Sequence, residues 1–402
     1  MKGKYKVVEQ CRSCKSNQLT DIMSLGNQYL SEFSDDGQKP EQYPLELQLC
    51  GNCTLLQLKH TVPASSLYTE NYGYKSGVNG TIRSDLKEIS QKATEQVSLS
   101  PGDVVLDIGA NDGTLLSNYP KEIYRVAFEP IKKLTQECQE HADLVVNDFF
   151  NHKAWQEKMG DKKAKIITVI SCFYDLDDPN TFVEGLTKIL DERGVLVIQQ
   201  NYLGGMLAQN AFDNICHEHL EYYSLRSLEH LLNRHGLEVF DVEQNDINGG
   251  SFRTYVRHMS RVDKMRLAER KLKLENEFTY MLFGMKVKHL GKKLHDFVVG
   301  EVEAGKKIYL YGASTRVQTL LQYCGLDSSL ITAAVERNPE KFGKKIASVG
   351  IPIISEEQAR AEKPDYFLVG PWFFKKEFLE REKEYLADGG HFIFALPELE
   401  VV

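Results

Sequence analysis

The chain runs to 402 residues and carries 57 acidic against 49 basic side chains, a formal charge of −8. That length exceeds what one hydrophobic core organises and predicts two or three domains. A mild negative charge spread along the sequence argues against nucleic acid or an anionic membrane as the main partner and leaves a small molecule; no apolar run nears the roughly 18 residues of a membrane span and no signal-peptide core follows the basic start, so a soluble, cytoplasmic protein is expected.

From residue 1 to about 66, short apolar stretches alternate with turn residues such as Gly26, Gly51 and Pro63, with little helical periodicity. Four cysteines stand here as two Cys-x-x-Cys pairs, Cys11/Cys14 and Cys50/Cys53. Four thiolates at that spacing suit a tetrahedral zinc ion; with every position filled by protein, the ion would hold a small lobe together and do no chemistry. A redox Cys-x-x-Cys is usually single and sits at the strand-to-helix junction of a βαβ unit, a setting neither pair has. Cys138, Cys172, Cys216 and Cys324 are scattered, as reduced thiols are.

A polar amphipathic stretch from Tyr68 leads through a helix around Leu86 to the punctuation of Pro101-Gly102-Asp103. Val104-Val-Leu-Asp-Ile-Gly then reads as an apolar strand running into a glycine turn. Further strands around Val126, Val145, Thr168 and Leu196 alternate with helical patterns, which indicates an α/β domain with a doubly wound parallel sheet. In Asp107-Ile-Gly109-Ala-Asn111-Asp-Gly113 the glycines let the backbone turn sharply towards a ligand, and Asp107 can accept hydrogen bonds from a charged amine. About twenty residues on, Glu129 ends the next strand, where an acid can hold both ribose hydroxyls; Asp148 follows the third strand at a place suited to an adenine edge. The set fits S-adenosylmethionine, and the spacing is not the Gly-x-Gly-x-x-Gly of a dinucleotide site. The plainer alternative is a tight turn with solvated carboxylates.

Cys216-His217-Glu218-His219 lies between the strand ending near Asn201 and a helix started by Ser224. A His/Glu/Tyr cluster in this half of the sheet is where an acceptor would meet the donor. His219 beside Glu218 makes a candidate general base, because a carboxylate can orient an imidazole and stabilise its charged form. A structural hydrogen-bonding corner is the rival, and the two-residue spacing of His217 and His219 does not match a His-Glu-x-x-His metal helix.

Residues 259–304 are charged, rich in Lys, Glu and Leu, and free of proline, so they read as a connector of one or two long helices. A second, smaller α/β domain follows, opened by Lys307-Ile-Tyr-Leu-Tyr-Gly312-Ala-Ser314-Thr315-Arg316. That turn can bind a diphosphate through backbone N–H groups, the two hydroxyls and the arginine fork. The alternative is a domain that only packs against its neighbour.

Together the cysteine pairs, Tyr72-Gly-Tyr74-Lys75-Ser-Gly, Asp107-Ile-Gly-Ala-Asn-Asp-Gly, Phe128-Glu-Pro, Asp148-Phe-Phe, Tyr202-Leu-Gly, Glu218-His219, Asn248-Gly249-Gly, Tyr311-Gly-Ala and Leu396-Pro-Glu give the chain, over essentially its whole length, a pattern that resembles the nucleotide-sugar C-methyltransferases acting on 4-keto-deoxysugars. The resemblance implies a zinc-binding lobe (1–66), a Rossmann-like class I methyltransferase domain with a leading helical segment (67–258), the connector and a C-terminal Rossmann-like domain (305–402). It implies S-adenosylmethionine on Asp107, Gly109, Asn111, Gly113, Glu129, Asp148 and Ser171, and structural zinc on the four cysteines. It implies a nucleotide-linked deoxysugar near Tyr72, Lys75, Tyr202, Tyr222, Asn248, Gly249, Gly312, Ser314, Thr315 and Arg316. In the family mechanism a base removes the proton at C3, beside the C4 ketone. By position His219 is that base, Glu218 its partner or a ligand of a sugar hydroxyl, and Tyr74 a hydroxyl facing the substrate. Two positions depart from the pattern: Ser171-Cys-Phe-Tyr-Asp175 where relatives carry a histidine, and Cys216 where they carry a tyrosine. Tyr174, Asp175 or His217 then become substitutes in the proton relay, and O- or N-methylation, or a non-catalytic sugar-nucleotide binder, become the alternatives. A monomer or homodimer without nucleic-acid or membrane partner is expected.

Overall fold

Residues 5–31, 40–68 and 74–402 are described by the structure, a computed structural model. The chain divides into two compact units, Met1–Leu267 and Ala268–Val402.

In the first unit the N-terminal lobe holds β1 (Lys6–Val7), β2 (Leu19–Tyr29), β3 (Gln42–Cys50), β4 (Leu56–Leu58) and β5 (His60–Thr61). Helix α1 (Gly80–Glu95) follows, capped by Asn79, whose side chain accepts from the Thr81 N–H at 2.8 Å. A run of strands and helices comes next: β6 (Val104–Ile108), β7 (Tyr124–Phe128), α2 (Lys132–Cys138), β8 (Leu144–Val146), α3 (His152–Met159), β9 (Ala164–Ile170), α4 (Pro179–Ile189), β10 (Leu190–Asn201) and α5 (Leu203–Gln209). The unit's last elements before its C-terminal helix are β11 (Glu221–Tyr222), α6 (Leu225–Arg234), β12 (Leu237–Asn245) and β13 (Ser251–His258).

The central sheet has the order β12-β13-β10-β9-β6-β7-β8. Strands β10, β9, β6, β7 and β8 are parallel, and the apolar run Val104–Ile108 is buried at every position, as a strand covered on both faces must be. The edge departs from the expected parallel sheet, because β12 and β13 form an antiparallel hairpin. Alternation of polar and apolar residues along β12 allows it an exposed face, which a central strand could not have. The chain order reverses between β6 and β9, and that switch point is where the carboxyl ends of the strands part to leave a crevice.

One strand crosses between lobe and central domain. The lobe sheet runs β11-β4-β3-β2, so the short β11 of the central domain, just after Glu218 and His219, is its edge strand, with Glu221 opposite Gln57 and Tyr222 opposite Leu56. The two parts also share a hydrophobic core, in which Cys11, Cys50, Cys53 and Leu55 pack in one cluster with Phe173, Tyr223, Leu228 and Leu231. Helix α6 supplies its part through Leu228, Leu231 and Leu232, spaced to one face, behind a capping box in which Ser224 and Ser227 bond each other's backbone.

Helix α7 (Arg261–Leu272) spans the division between the units, and α8 (Glu277–Glu303) follows. The expected connector does not stand apart, since Leu294 and Val298 of α8 enter the core of the second unit. That unit's sheet uses β14 (Ile308–Tyr311), β15 (Ala334–Glu336), β16 (Lys345–Ile346), β17 (Ile351–Ser355), β18 (Tyr366–Val369), β19 (His391–Phe394) and β20 (Glu400–Val401), in the order β16-β17-β15-β14-β18-β19-β20. Its five inner strands are parallel, and α9 (Thr315–Tyr323) leaves the end of β14.

Candidate active site

The two cysteine pairs converge. All four sulfurs lie within 4.8 Å of one another, with Cys11 Sγ 3.4 Å from Cys53 Sγ and Cys14 Sγ 3.5 Å from Cys50 Sγ, and none forms a disulfide. Tetrahedral zinc, with Zn–S bonds of about 2.3 Å, holds its sulfurs about 3.8 Å apart, so the cluster has the right size and donor set. The knuckles match in backbone too: Lys15 and Thr54, each just after a pair, take positive φ and donate N–H to the first cysteine's carbonyl.

At the carboxyl ends of β6, β7 and β9 lies a cavity of about 570 Å³. The structure brings Asp107, Gly109, Asn111, Glu129, Asp148 and Ser171 together along its lining. Gly109 takes φ +70°, and a Cβ there would stand 3.0 Å from the Cys172 sulfur, so the turn requires glycine. Gly113 (φ +81°) lies beneath the turn, where a Cβ would meet the Cys138 backbone at 3.1 Å. The Glu129 carboxylate accepts the Asn111 and Ile131 N–H groups, each at 2.8 Å, which fixes it at the strand end with lone pairs to spare. Asp107 accepts from the Thr168 hydroxyl at 2.6 Å. Burial pushes its carboxyl up to about 7, against the Thr168 bond, and nearby Glu129 adds to the rise. Asn111 and Asp112 accept the N–H groups of Ser76 and Gly77, which ties the segment bearing Tyr74 to the glycine turn.

Tyr68, Tyr74, Asp175, Glu218 and Asn248 line the same cavity. Tyr68 donates to Asp175 Oδ2 at 3.0 Å, while Asp175 Oδ1 and Glu218 Oε2 are buried without hydrogen-bond partners among the described residues. Burial pushes the Asp175 carboxyl well above the carboxylate range, opposed by the Tyr68 bond and reinforced by Glu218 and Glu221.

The histidines differ from expectation. Among the described residues lining the cavity, Glu218 is present and His219 is not; the His219 ring borders a small adjacent pocket with Tyr174, Asn201 and Tyr222. Its Nδ1 lies 2.8 Å from the Asn214 carbonyl, so the orienting partner is that carbonyl and not the Glu218 carboxylate. The chain turns here, the His219 N–H donating to the Cys216 carbonyl at 3.2 Å. A carbonyl only accepts, so Nδ1 bears the proton and, in the neutral ring that burial favours, Nε2 is the basic nitrogen. His217 is taken up by the lobe, with Nε2 3.2 Å from the Tyr43 carbonyl.

Other expected substrate residues are spread out. Lys75 pairs with Glu137, Tyr202 packs on Phe252, and Tyr222 borders the small pocket. Gly249 lies beside the wall residue Asn248, its carbonyl holding Gln209 at 2.8 Å. Tyr72 lies outside the described residues. In the second unit, Gly312 (φ +90°), Ser314, Thr315 and Arg316 form the turn between β14 and α9; Ser314 caps the helix, and the Arg316 guanidinium lies over the Phe373 ring, 4.9 Å from its centroid. Sequence reasoning missed Tyr68, Thr61 and Asp177 as wall residues. No spacing signal marks them, because partners more than 100 positions away define their roles.

Three family models match in succession: a zinc binding domain over residues 11–68, a methyltransferase domain over 74–242 and a C-methyltransferase C-terminal domain over 246–397. The C-methyltransferase NovU of Streptomyces niveus is 29% identical over 408 residues, covering 98% of this chain and 97% of its own. The chain belongs to this three-domain C-methyltransferase family. Among solved structures, an S-adenosylmethionine-dependent methyltransferase from Clostridium acetobutylicum (15% identity, 46% of this chain and 93% of that one, TM-score 0.35) and the cyclopropane synthase MmaA2 from Mycobacterium tuberculosis (12%, 46% and 89%, TM-score 0.35) are similar too weakly to carry a conclusion.

The C-methyltransferase uses S-adenosylmethionine, and its cavity fits that donor. Asp107 and Glu129 are buried acids that make no ion pair among the described residues, so a cationic ligand would answer their charge. No helix among the described residues is long and apolar enough to cross a membrane.

Proposed function

We propose that the enzyme methylates a carbon, C3, of a nucleotide-linked 4-keto-deoxysugar. The observation that carries this reading is a cavity lined both by donor-type residues and by two carboxyl groups that, among the described residues, each keep one buried oxygen without a hydrogen-bond partner. Asp107, Glu129 and Asp148 would hold S-adenosylmethionine, which supplies an electrophilic methyl group when bound.

Glu218 is our candidate for the group that takes the C3 proton, because its carboxylate reaches the cavity. His219, with Nε2 basic, stands behind it as a second acceptor. Asp175, kept protonated by burial, is suited to donate a hydrogen bond to the oxygen that becomes negative when the C3 proton leaves, and Tyr68 fixes its other oxygen. Positioned acid-base groups of this kind contribute about 10²- to 10⁴-fold each. Within the second unit, the turn Gly312 to Arg316 is by itself a candidate for binding a diphosphate, because the helix N-terminus and an arginine that makes no ion pair among the described residues offer N–H donors.

Incubation with methyl-¹³C donor and nucleotide-linked 4-keto-6-deoxyhexoses, followed by NMR, tests the reading. A new methyl on a quaternary C3 is expected; label on oxygen or nitrogen, or no transfer, overturns it.

A further inference from the structure

Arg12 occupies the middle of the first Cys-x-x-Cys turn, a position that on an isolated knuckle faces water, yet it is 2% exposed. A buried arginine needs partners for its fork of donors. Here they are not at the cysteines. Its guanidinium donates to the Leu58 carbonyl, to the His60 carbonyl at 3.4 Å and to the Thr61 hydroxyl at 2.7 Å, while Nε faces Asp177 Oδ1 at 3.4 Å. Its backbone N–H holds the Gln57 side-chain oxygen at 2.9 Å. Thr61 in turn donates to Asp177 at 2.7 Å, and both residues line the cavity.

The same short strand anchors the segment that carries Glu218 and His219. That segment contains no helix; it is held where the Leu58 N–H meets the Leu220 carbonyl at 2.9 Å and where Glu221 pairs with Gln57. Leu58 and Gln57 are therefore bonded both by Arg12 and by the segment of Leu220 and Glu221. We propose that Arg12 is a positioning residue, which sets the cavity wall at Thr61, Asp177 and Glu218 from within the cysteine knuckle. The proposal rests on the acceptor site assigned above. Only a planar fork spans these partners; a lysine keeps the charge but has a single nitrogen from which to donate.

Arg12→Lys and Arg12→Met test it. Both variants are expected to keep one zinc per chain by elemental analysis and wild-type affinity for S-adenosylmethionine by calorimetry, since neither the sulfurs nor the donor wall is touched. Amide exchange at Leu220, Glu221 and Tyr222 should quicken about 10-fold or more, and kcat should fall about 10- to 100-fold with a smaller change in KM, Lys being milder than Met. Unchanged exchange at these amides with zinc retained overturns the proposal. So does loss of zinc in both variants, which would make Arg12 part of the lobe's folding alone. The exchange measurement requires no acceptor; a wild-type enzyme that methylates no sugar nucleotide would count against the proposed function, and this comparison would still decide the role of Arg12.

Discussion

Asp107 is the group whose chemistry depends most on its surroundings. An unfolded aspartate titrates near 3.9, and burial moves this one to about 7, so between about pH 4 and pH 7 the folded apo-protein keeps a proton that the unfolded chain has lost. Stability of the apo-protein should therefore fall as pH rises through that window. Urea unfolding of wild type against Asp107→Asn should show the deficit growing from pH 4 to 7 and constant above. Donor affinity should move the other way: calorimetry should find it tightening from pH 6 to 8 in wild type, as the carboxylate forms to meet a cation, and flat in the variant. The Glu218 and His219 pair allows a second comparison. Glu218→Gln should lower kcat by about 10²- to 10⁴-fold with the donor dissociation constant unchanged, and His219→Asn should cost less. A greater loss in the histidine variant would return the base role to the imidazole.

Helix α1 reaches the cavity through Asp85 and Leu86, and it is held to the sheet by a buried charge cluster. Arg253, on β13 and 1% exposed, bonds Asp85 at 2.8 Å, Gln199 of β10 at 2.8 Å and Glu243 of β12 at 3.2 Å. Lys92 of α1 meets Glu243 at 2.8 Å from the other side. Removing one partner of such a pair leaves a charge buried without its complement. Arg253→Met should then cost about 3–5 kcal/mol in urea unfolding, several times the effect of breaking an exposed pair such as Lys188 with Glu184.

Two units with separate cores should unfold as two calorimetric transitions. The knuckle cysteines belong to the first core, so Cys11→Ser or a zinc chelator should lower the transition of the first unit, methyltransferase sheet included, and leave the other in place. S-adenosylmethionine at 100 times its dissociation constant should stabilise that same transition by about 2.7 kcal/mol; a donor that raised both transitions equally would contradict two independent cores.

Local physics made much of this plan legible in the residues alone. Metal-ligand spacing revealed the knuckles, because a Cys-x-x-Cys turn is complete within four residues. The order of strands and helices in both α/β parts, and the acids ending β6 and β7, could be read because hydrophobic runs and glycine turns act over a few positions. Other features depend on chain segments far apart. That Asp175 meets Tyr68 rather than a base, that His219 turns to Asn214 while Glu218 takes the cavity, and that β11 leaves its own domain to complete the lobe's sheet all follow from pairings across 5 to 166 positions. Sequence patterns set which residues prefer burial or a turn; folding chooses which buried polar groups face one another, because only the assembled core determines whose hydrogen bonds remain to be satisfied.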